Sequence, residues 1–501
     1  MGSKGVSRHA AAALLGLLLT AAMVLPAAAV GPTREDLLRR IERLESLLRD
    51  NQRRMNAYDK ELSELRGQVG AQQQQLQDQE SRTAQKIGEA IKGQEHAEVV
   101  KDIVKRVSLS DVEQTPEENR LRTIYDDGFY LKGPDDQLRI GGWFQFDSRW
   151  HLNDRHPDSD TFLIRRARLD IRGVLENDFA YRLYATLIGE RNGILQEGWL
   201  EYRKYPEFRV RLGQVFEPFS LEAVYSARWT WFMERAMIVN AISPQEDIGV
   251  MLLGKLWDGR LEYGLGVFNG QGRNTSATVD DKDFTARVAL TPWAQTPKGD
   301  ALRGLSFGGS FGTGNNEKSL AGNSFQTQGF TSWYEFASGV SQDGGLTRWG
   351  LEAQYLLGPF SVQGEYLRAR YDDLKRAGSS AGLEVDGYYL SLAWVLTGED
   401  APGDAAIKPR RDFNPSTGGW GAWQAALRYQ SMSTNQELLD RGWASGSDGA
   451  RSVTLGLNWF PNRHIRLQFN YDHAWFNQEV TRNGVTLDEE DVFTTRVLFD
   501  F

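Results

Sequence analysis

The residues with the most distinctive chemistry in this sequence are arginines that recur at alternate positions. In RRARLDIRGVLENDFAYRLYATL, residues 165–187, Arg166, Arg168 and Arg172 share one parity, and Arg182 lies on the polar parity of the next segment. A guanidinium is planar, stays charged at any working pH and can hold a phosphate or carboxylate through two hydrogen bonds. This pattern indicates recognition of oxyanions, provided that the arginine face is wet, because an unpaired buried guanidinium is costly.

The elements that would carry these arginines are β-strands. From Phe129 to the end of the chain, apolar residues alternate with polar residues or glycine, as in ARLDI at 167–171 and IRLQFNY at 465–471. Period 2 over this length predicts one large antiparallel all-β unit. Placing tight turns such as LEND and FPNR on one side gives about 16 strands, an even number typical of a transmembrane antiparallel β-barrel. The count requires 331–339 to lie in a long loop and leaves 398–420 as a long connection on the short-turn side.

If the apolar parity faces lipid, the arginines face a water-filled lumen and their burial cost disappears. The same parity sends further arginines inward, namely Arg203, Arg209, Arg211, Arg287 and Arg466. Rows of arginine in a pore select anions. Asp170, Glu201 and the net charge of −9 support the alternative, a general porin whose lumen charges are paired.

One long connection, residues 217–246, is unusually apolar for an exposed loop. It contains Trp229, Trp231, Phe232 and Met233, which need a place to be buried. Folding into the barrel would provide that place and would bring Arg228 and Arg235 to the narrowest point of the pore. If the loop instead lies flat over the rim, those arginines are surface residues.

The amino-terminal part predicts a different organisation. Residues 1–29 have the charged start, Ala/Leu stretch and AAA end of a signal peptide. Residues 33–92 carry a heptad seam that predicts a periplasmic α-helical coiled coil, residues 93–126 form a linker, and 127–501 form the barrel. The final VFTTRVLFDF ends on Phe with apolar residues on one parity, as outer-membrane barrels do.

Other function classes find little support in the sequence. The chain has no cysteine, and its 6 histidines, including His151, His156, His464 and His473, lack ligand spacing, so we expect no metal and no cofactor. GGSFG at 308–312 matches G-x-S-x-G but lies within an alternating strand rather than at a strand-turn-helix elbow, which makes an outer-membrane hydrolase a remote third possibility. An exported acidic chain without a basic tail is not expected to bind nucleic acid.

Several segments in order along the chain resemble the phosphate-selective porin O and P family. They are FLIRRARLDIRG, FRVRLGQVFEPFSLE, FMERA, WVLTGED and GAWQAALRYQ, spread from about 162 to 430, with FDF at the end. The resemblance implies a homotrimer of 16-stranded barrels, each narrowed by an inward third loop and lined by an arginine ladder. By position it favours Arg165, Arg166, Arg168 and Arg235. Strand parity turns Arg165 towards lipid or a neighbouring subunit, so Arg166 and Arg168 are the preferred pair.

The sequence thus predicts an outer-membrane porin, not an enzyme, for passive diffusion of small anions such as phosphate. The expected anion path consists of Arg166, Arg168, Arg172, Arg203, Arg209, Arg211, Arg228, Arg235 and Arg287. The expected surroundings are outer-membrane lipid, two further copies of the chain, and the cell wall in contact with the coiled coil. The alternative is a general porin, a structural envelope tether, or both.

Overall fold

The computed structural model describes residues 122–501, except 127, 154–155, 189–193, 278 and 298, and except the side chain at 316. The predicted signal peptide and coiled coil, with almost all of the linker, lie outside the described residues and stay predictions. Within the described part of the chain, no helix is long and apolar enough to span a membrane.

The first two strands form a short hairpin before the barrel. They are β1 (Arg122–Tyr125) and β2 (Phe129–Lys132), and β2 pairs with the start of β3 (Gln137–His151). The next barrel strands are β4 (Thr161–Leu175), β5 (Phe179–Thr186), β6 (Leu195–Tyr205), β7 (Phe208–Phe216), β8 (Glu246–Leu256), β9 (Leu261–Phe268), β10 (Asp283–Leu290) and β11 (Leu305–Ser319). Two short helices, α1 (Leu221–Val224) and α2 (Met237–Ile242), lie between β7 and β8.

Two strands that do not belong to the wall follow, β12 (Ser324–Gln326) and β13 (Ser332–Phe336). The wall continues with β14 (Ser341–Leu357), β15 (Phe360–Arg376), β16 (Ser379–Val395) and β17 (Ala422–Thr434). Helix α3 (Glu437–Asp440) and β18 (Ala444–Gly446) precede the last wall strands, β19 (Gly449–Phe460), β20 (Ile465–Arg482) and β21 (Val485–Asp500). Strand β13 pairs with β12 and β18 in a separate three-stranded sheet.

Sixteen antiparallel strands close into a barrel because β21 pairs with β20 on one side and with β3 on the other. The predicted strand number is therefore confirmed, and the terminal strand is not an open edge. The segment 331–339 lies in the connection between β11 and β14, as the count required. The long connection on the short-turn side, between β16 and β17, is also confirmed.

The two faces of the wall differ as the alternation predicts. Large apolar side chains point outward and are exposed, for example Phe162, Leu183 and Leu351. Polar side chains on the other parity, such as Gln145, Asp170 and Glu201, are buried inside. An apolar outer surface and a polar interior are what a barrel in a lipid bilayer requires.

Candidate functional site

The third long connection of the barrel, residues 217–245 (the third loop), lies inside the lumen. The Glu365 carboxylate accepts hydrogen bonds from Ser220 Oγ at 3.0 Å and from the Leu221 amide at 2.8 Å. Asn458 Nδ2 donates to the Trp231 carbonyl at 2.9 Å. Since Glu365 and Asn458 are inward-facing residues of β15 and β19, the prediction that this loop folds into the barrel is confirmed.

The apolar side chains of the third loop pack against the inner face of the wall. Trp231, Phe232 and Met233 are buried, as are most apolar residues of α2, which packs against the inner faces of β15–β17 and against β12. The Phe232 ring contacts the position where Gly456 would carry a Cβ, at 3.2 Å. The absence of a side chain at Gly456 therefore makes room for this ring.

A buried cluster of charges ties the loop to the wall. Three arginines contact the Glu234 carboxylate of the loop: Arg165 at 2.9 Å, Arg166 at 3.4 Å and Arg496 at 2.9 Å. Arg496 also holds Asp147 through two hydrogen bonds of 2.7 Å. Although burial alone would raise the pKa of Glu234, the three arginines keep this pKa well below its usual range. The carboxylate is therefore charged and holds the middle of the loop against β3, β4 and β21.

The prediction that Arg165 faces lipid is wrong. The pairing of β3 with β4 shifts between Gln145 and Phe146, whose partners are Arg166 and Ile164, so Arg165 is an extra residue in a β-bulge. A bulge breaks the strict alternation of side chains. Both Arg165 and Arg166 consequently reach Glu234 in the lumen.

A cavity with a volume of about 540 Å³, the first cavity, lies between the third loop and strands β4–β6. Eight arginines line it: Arg165, Arg166, Arg168, Arg172, Arg182, Arg228, Arg235 and Arg273. Three carboxylate residues line it, Glu197, Glu246 and Asp404, and no lysine does among the described residues. Guanidinium groups from the wall and from the third loop thus surround one cavity that is open to solvent.

Most of these arginines have a carboxylate partner. Arg182 contacts Asp170 and Glu197, both at 2.8 Å, and Arg228 contacts Asp500 at 3.0 Å. Arg172 is exposed to the cavity and lies 4.0 Å from Asp170. These pairs hold the guanidinium groups in fixed positions and offset part of their charge.

Arg168 and Arg235 are held differently. The Arg168 guanidinium lies over the rings of Trp143 and Tyr184, at 5.4 and 5.3 Å from their centres, and its Nε atom has no hydrogen-bond partner in the described part of the chain. Arg235 donates to the carbonyls of Glu222, Ala223 and Tyr225 at 2.6–3.0 Å. Aromatic rings and carbonyls orient a guanidinium without neutralising its charge.

A second cavity of about 290 Å³ adjoins the first and shares Arg182 and Glu197 with it. Its wall includes Arg209, Arg211 and Arg287. Arg211 contacts Glu201 at 2.6 Å, Arg209 contacts the same carboxylate at 3.3 Å, and Arg287 is hydrogen-bonded to Glu352 through Nε at 3.0 Å. The charges of this cavity are therefore largely paired.

Arg203 lies outside both cavities. It is exposed near the short turn after β6, where the pairing with β7 shifts between Tyr202 and Tyr205. Arg466 is inward but buried beneath the loop, where it donates to the carbonyls of Arg228 at 3.1 Å and Thr230 at 2.8 Å. Arg273 and Asp404 were missed because they lie in connections, where parity gives no direction.

The G-x-S-x-G segment is part of strand β11. Ser310 is buried in the lumen, and its Oγ accepts a hydrogen bond from the Ser220 amide at 3.1 Å. This serine belongs to a strand and anchors the third loop, so the segment lacks the strand-turn-helix elbow of a hydrolase.

Two histidines lie beside a glutamate, although the spacing of the histidines along the chain predicted no group of metal ligands. His151, His156 and Glu490 each offer a donor atom, and these atoms lie within 4.8 Å of one another. Spacing along the chain could not reveal this group, because Glu490 belongs to the last strand. His151 ends the first barrel strand, β3, and His156 lies in the connection that follows it.

A closed barrel with an apolar outer face and a loop-narrowed polar lumen has the architecture of an outer-membrane channel of the porin class. The sequence model of the family described as "Phosphate-selective porin O and P" matches residues 138–501, and the chain belongs to this family, so it is a channel and not an enzyme. Porin O of Pseudomonas aeruginosa is 24% identical over 400 residues, which cover 73% of this chain and 88% of that protein.

Solved structures resemble the chain more distantly. OmpT of Vibrio cholerae, in an in-vitro folded form, has a TM-score of 0.47 and 13% identity, covering 74% of this chain and 99% of that one. The outer-membrane channel DcaP of Acinetobacter baumannii has a TM-score of 0.46 and 11% identity, with 74% and 99% covered.

Proposed function

We propose that this porin is a passive channel that prefers small oxyanions such as phosphate. The observation that carries the proposal is the composition of the first cavity, whose lining contains eight arginines and three carboxylate residues. Cation-rich constrictions favour anions because they lower the energy of an anion and raise that of a cation. Arginine also donates several hydrogen bonds in a fixed plane, which suits the oxygens of a phosphate or carboxylate.

Arg168 is the best candidate for direct contact with the anion. Its orientation comes from Trp143 and Tyr184, so its charge is not offset by a carboxylate in direct contact among the described residues. Arg172 lies four residues further along the same strand, on the same inward parity, and is exposed to the same cavity. An anion passing the third loop would meet these two groups from the wall and Arg235 from the loop.

The alternative is a general porin in which paired charges cancel. The second cavity supports it, since Arg209, Arg211 and Arg287 all have carboxylate partners. The first cavity favours anion preference, because Arg168 and Arg235 are oriented by groups that carry no net charge. The two functions therefore differ in whether the first cavity prefers anions over cations or prefers neither.

The test is a planar-bilayer recording of the purified protein under a KCl gradient, repeated with phosphate added. We expect a reversal potential on the chloride side of zero and a current that phosphate reduces. Arg168→Gln should shift the reversal potential towards zero and weaken the block several-fold.

Arg368→Gln is the matched control. Arg368 pairs with Glu384 at 2.6 Å, and both lie on the outward parity, so this change removes the same charge without touching the lumen. A wild-type reversal potential at zero or on the potassium side would reject the proposal in favour of the general porin.

Two further proposals concern the assembly. We infer a homotrimer from membership of the family, and native mass measurement of the detergent complex tests it. The heptad seam of residues 33–92 supports a role of the coiled coil in holding the envelope together. Deleting 33–92 should weaken attachment to the cell wall and leave single-channel conductance unchanged; unchanged attachment would reject this role.

A further inference from the structure

Two histidines and a glutamate meet at the long-loop rim, where the first barrel strand closes on the last. His151 ends β3, His156 lies in the connection that follows, and Glu490 lies in β21. The two imidazole rings are stacked with their centres 3.7 Å apart. Glu490 Oε1 lies 3.9 Å from His151 Nδ1 and 3.5 Å from His156 Nε2. One carboxylate oxygen thus faces a nitrogen of each ring.

These three side chains are buried although they are near the rim. Only 4% of each histidine side chain and 2% of the Glu490 side chain are exposed. His151 Nδ1 is buried and has no hydrogen-bond partner in the described part of the chain. Buried polar atoms nearly always have a partner, so an unpartnered imidazole nitrogen directed at a carboxylate indicates a ligand that completes the group.

We propose that His151, His156 and Glu490 bind a divalent transition-metal ion of the zinc type. Imidazole nitrogen and carboxylate oxygen are ligands that zinc prefers. Metal bonds of about 2.0–2.2 Å in a tetrahedron put neighbouring donors roughly 3.4 Å apart. The separations of 3.5 and 3.9 Å are close to that value. Binding requires the two stacked rings to turn apart, so that the lone pairs of both nitrogens point at the same ion.

The surroundings of the group suit its role as a ligand set. Thr331 Oγ1 donates to Glu490 Oε1 at 2.5 Å and lies 3.2 Å from His156 Nε2, next to the position that a fourth ligand such as water would take. The backbone of Asp158 faces His156 Nδ1 with its amide at 3.1 Å and its carbonyl at 3.2 Å. When Nε2 binds a metal, Nδ1 carries the proton, and this carbonyl is then its acceptor.

The ion would fasten the first external connection to the seam of the barrel. Its ligands come from the end of β3, from the connection after it and from β21, so binding requires these three segments in their folded arrangement. A ligand that binds only the folded state raises stability by mass action. The site is distinct from the arginine-lined cavity and involves none of its lining residues.

The experiment is a titration of the purified full chain in detergent with Zn²⁺ alone, followed by isothermal calorimetry and by metal analysis after gel filtration. We expect one high-affinity equivalent of zinc per chain and a higher melting temperature with zinc present. His151→Ala and Glu490→Gln should each weaken this binding at least tenfold. Glu490→Gln keeps an oxygen acceptor for Thr331, so it tests the metal ligand with little change to the fold.

His473→Ala is the matched control. His473 pairs with Asp491 at 2.8 Å on neighbouring strands near the same rim, but it is more exposed, and within the described part of the chain no second histidine pairs with it. Zinc binding by this variant should equal that of the wild type. The proposal is overturned if the wild type binds no zinc, or if correctly folded His151→Ala and Glu490→Gln proteins bind it with wild-type affinity.

Discussion

The two halves of the lumen use the same residue in opposite ways. On the side of β17–β21, Arg428, Arg466 and Arg496 are almost completely buried beneath the third loop, and their guanidinium groups bind its carbonyls and carboxylates. On the opposite side, Arg168 and Arg172 of β4 border the first cavity. All five face inward, so the difference comes from what covers them.

This comparison separates two roles of an inward arginine. A buried guanidinium that donates to the loop fixes the position of the loop, because its removal would leave carbonyls, and in the case of Arg496 carboxylates, without a partner away from water. A guanidinium beside water is free to exchange its solvent for an anion. The third loop buries the arginines of β17–β21 and also forms part of the wall of the first cavity. Ion selectivity at that cavity therefore depends on the ion pairs that hold the loop on the opposite side.

The largest effect is expected from Arg496→Met. This change leaves Asp147 and Glu234 without the buried guanidinium that now contacts both, at 2.7 and 2.9 Å. Removing one partner of a buried ion pair costs about 3–5 kcal/mol. We expect a lower unfolding midpoint and, because the middle of the loop loses an anchor, larger and noisier single-channel currents.

The control for this change is Arg370→Met. Arg370 and Asp372 also form an ion pair, at 2.7 Å, but their side chains are 66% and 45% exposed. Such a pair contributes about 0–1 kcal/mol. Equal destabilisation by the two variants would contradict the anchoring role of Arg496.

A smaller effect is expected from Glu365→Ala at the other end of the loop. Glu365 accepts hydrogen bonds from the amides of Leu221 and Glu222, both at 2.8 Å, and all these groups are buried. Losing the acceptor leaves the amides unsatisfied at a cost of about 1–3 kcal/mol. Chemical denaturation measures this loss, and Glu384→Ala, which removes an exposed carboxylate of the neighbouring strand, should cost much less.

The sequence predicted the wall well because strand alternation is a local property. Period 2 and the tight turns determined the strand number, the direction of most side chains of the wall and the place of the long loops. The bulge at Arg165 could not be predicted, because one extra residue in a strand pairing does not change the alternation of residue types. The different burial of Arg168 and Arg496 could not be predicted either, because it depends on which inward arginine the folded third loop covers.

The smallest expected effect is a pH dependence of ion selectivity at the first cavity. Asp404 borders the first cavity, as Arg228 and Arg235 do, and it accepts a hydrogen bond from the Ser226 amide at 3.0 Å. Enclosure by the surrounding protein raises the pKa of Asp404 to about 6, against the lowering effects of that hydrogen bond and the arginines. The carboxyl group is therefore mostly charged at about pH 7 and mostly neutral at about pH 5.

Acidification should thus remove one negative charge from the proposed anion path. A unit charge several ångströms away in water contributes about 1 kcal/mol or less, so the anion-to-cation permeability ratio should rise a few-fold at most between pH 7 and pH 5. Reversal potentials recorded at both pH values measure this change. Asp404→Asn should show the higher ratio already at pH 7 and vary less with pH. A variant with the same pH dependence as the wild type would assign the titration to another group and would remove Asp404 from the path.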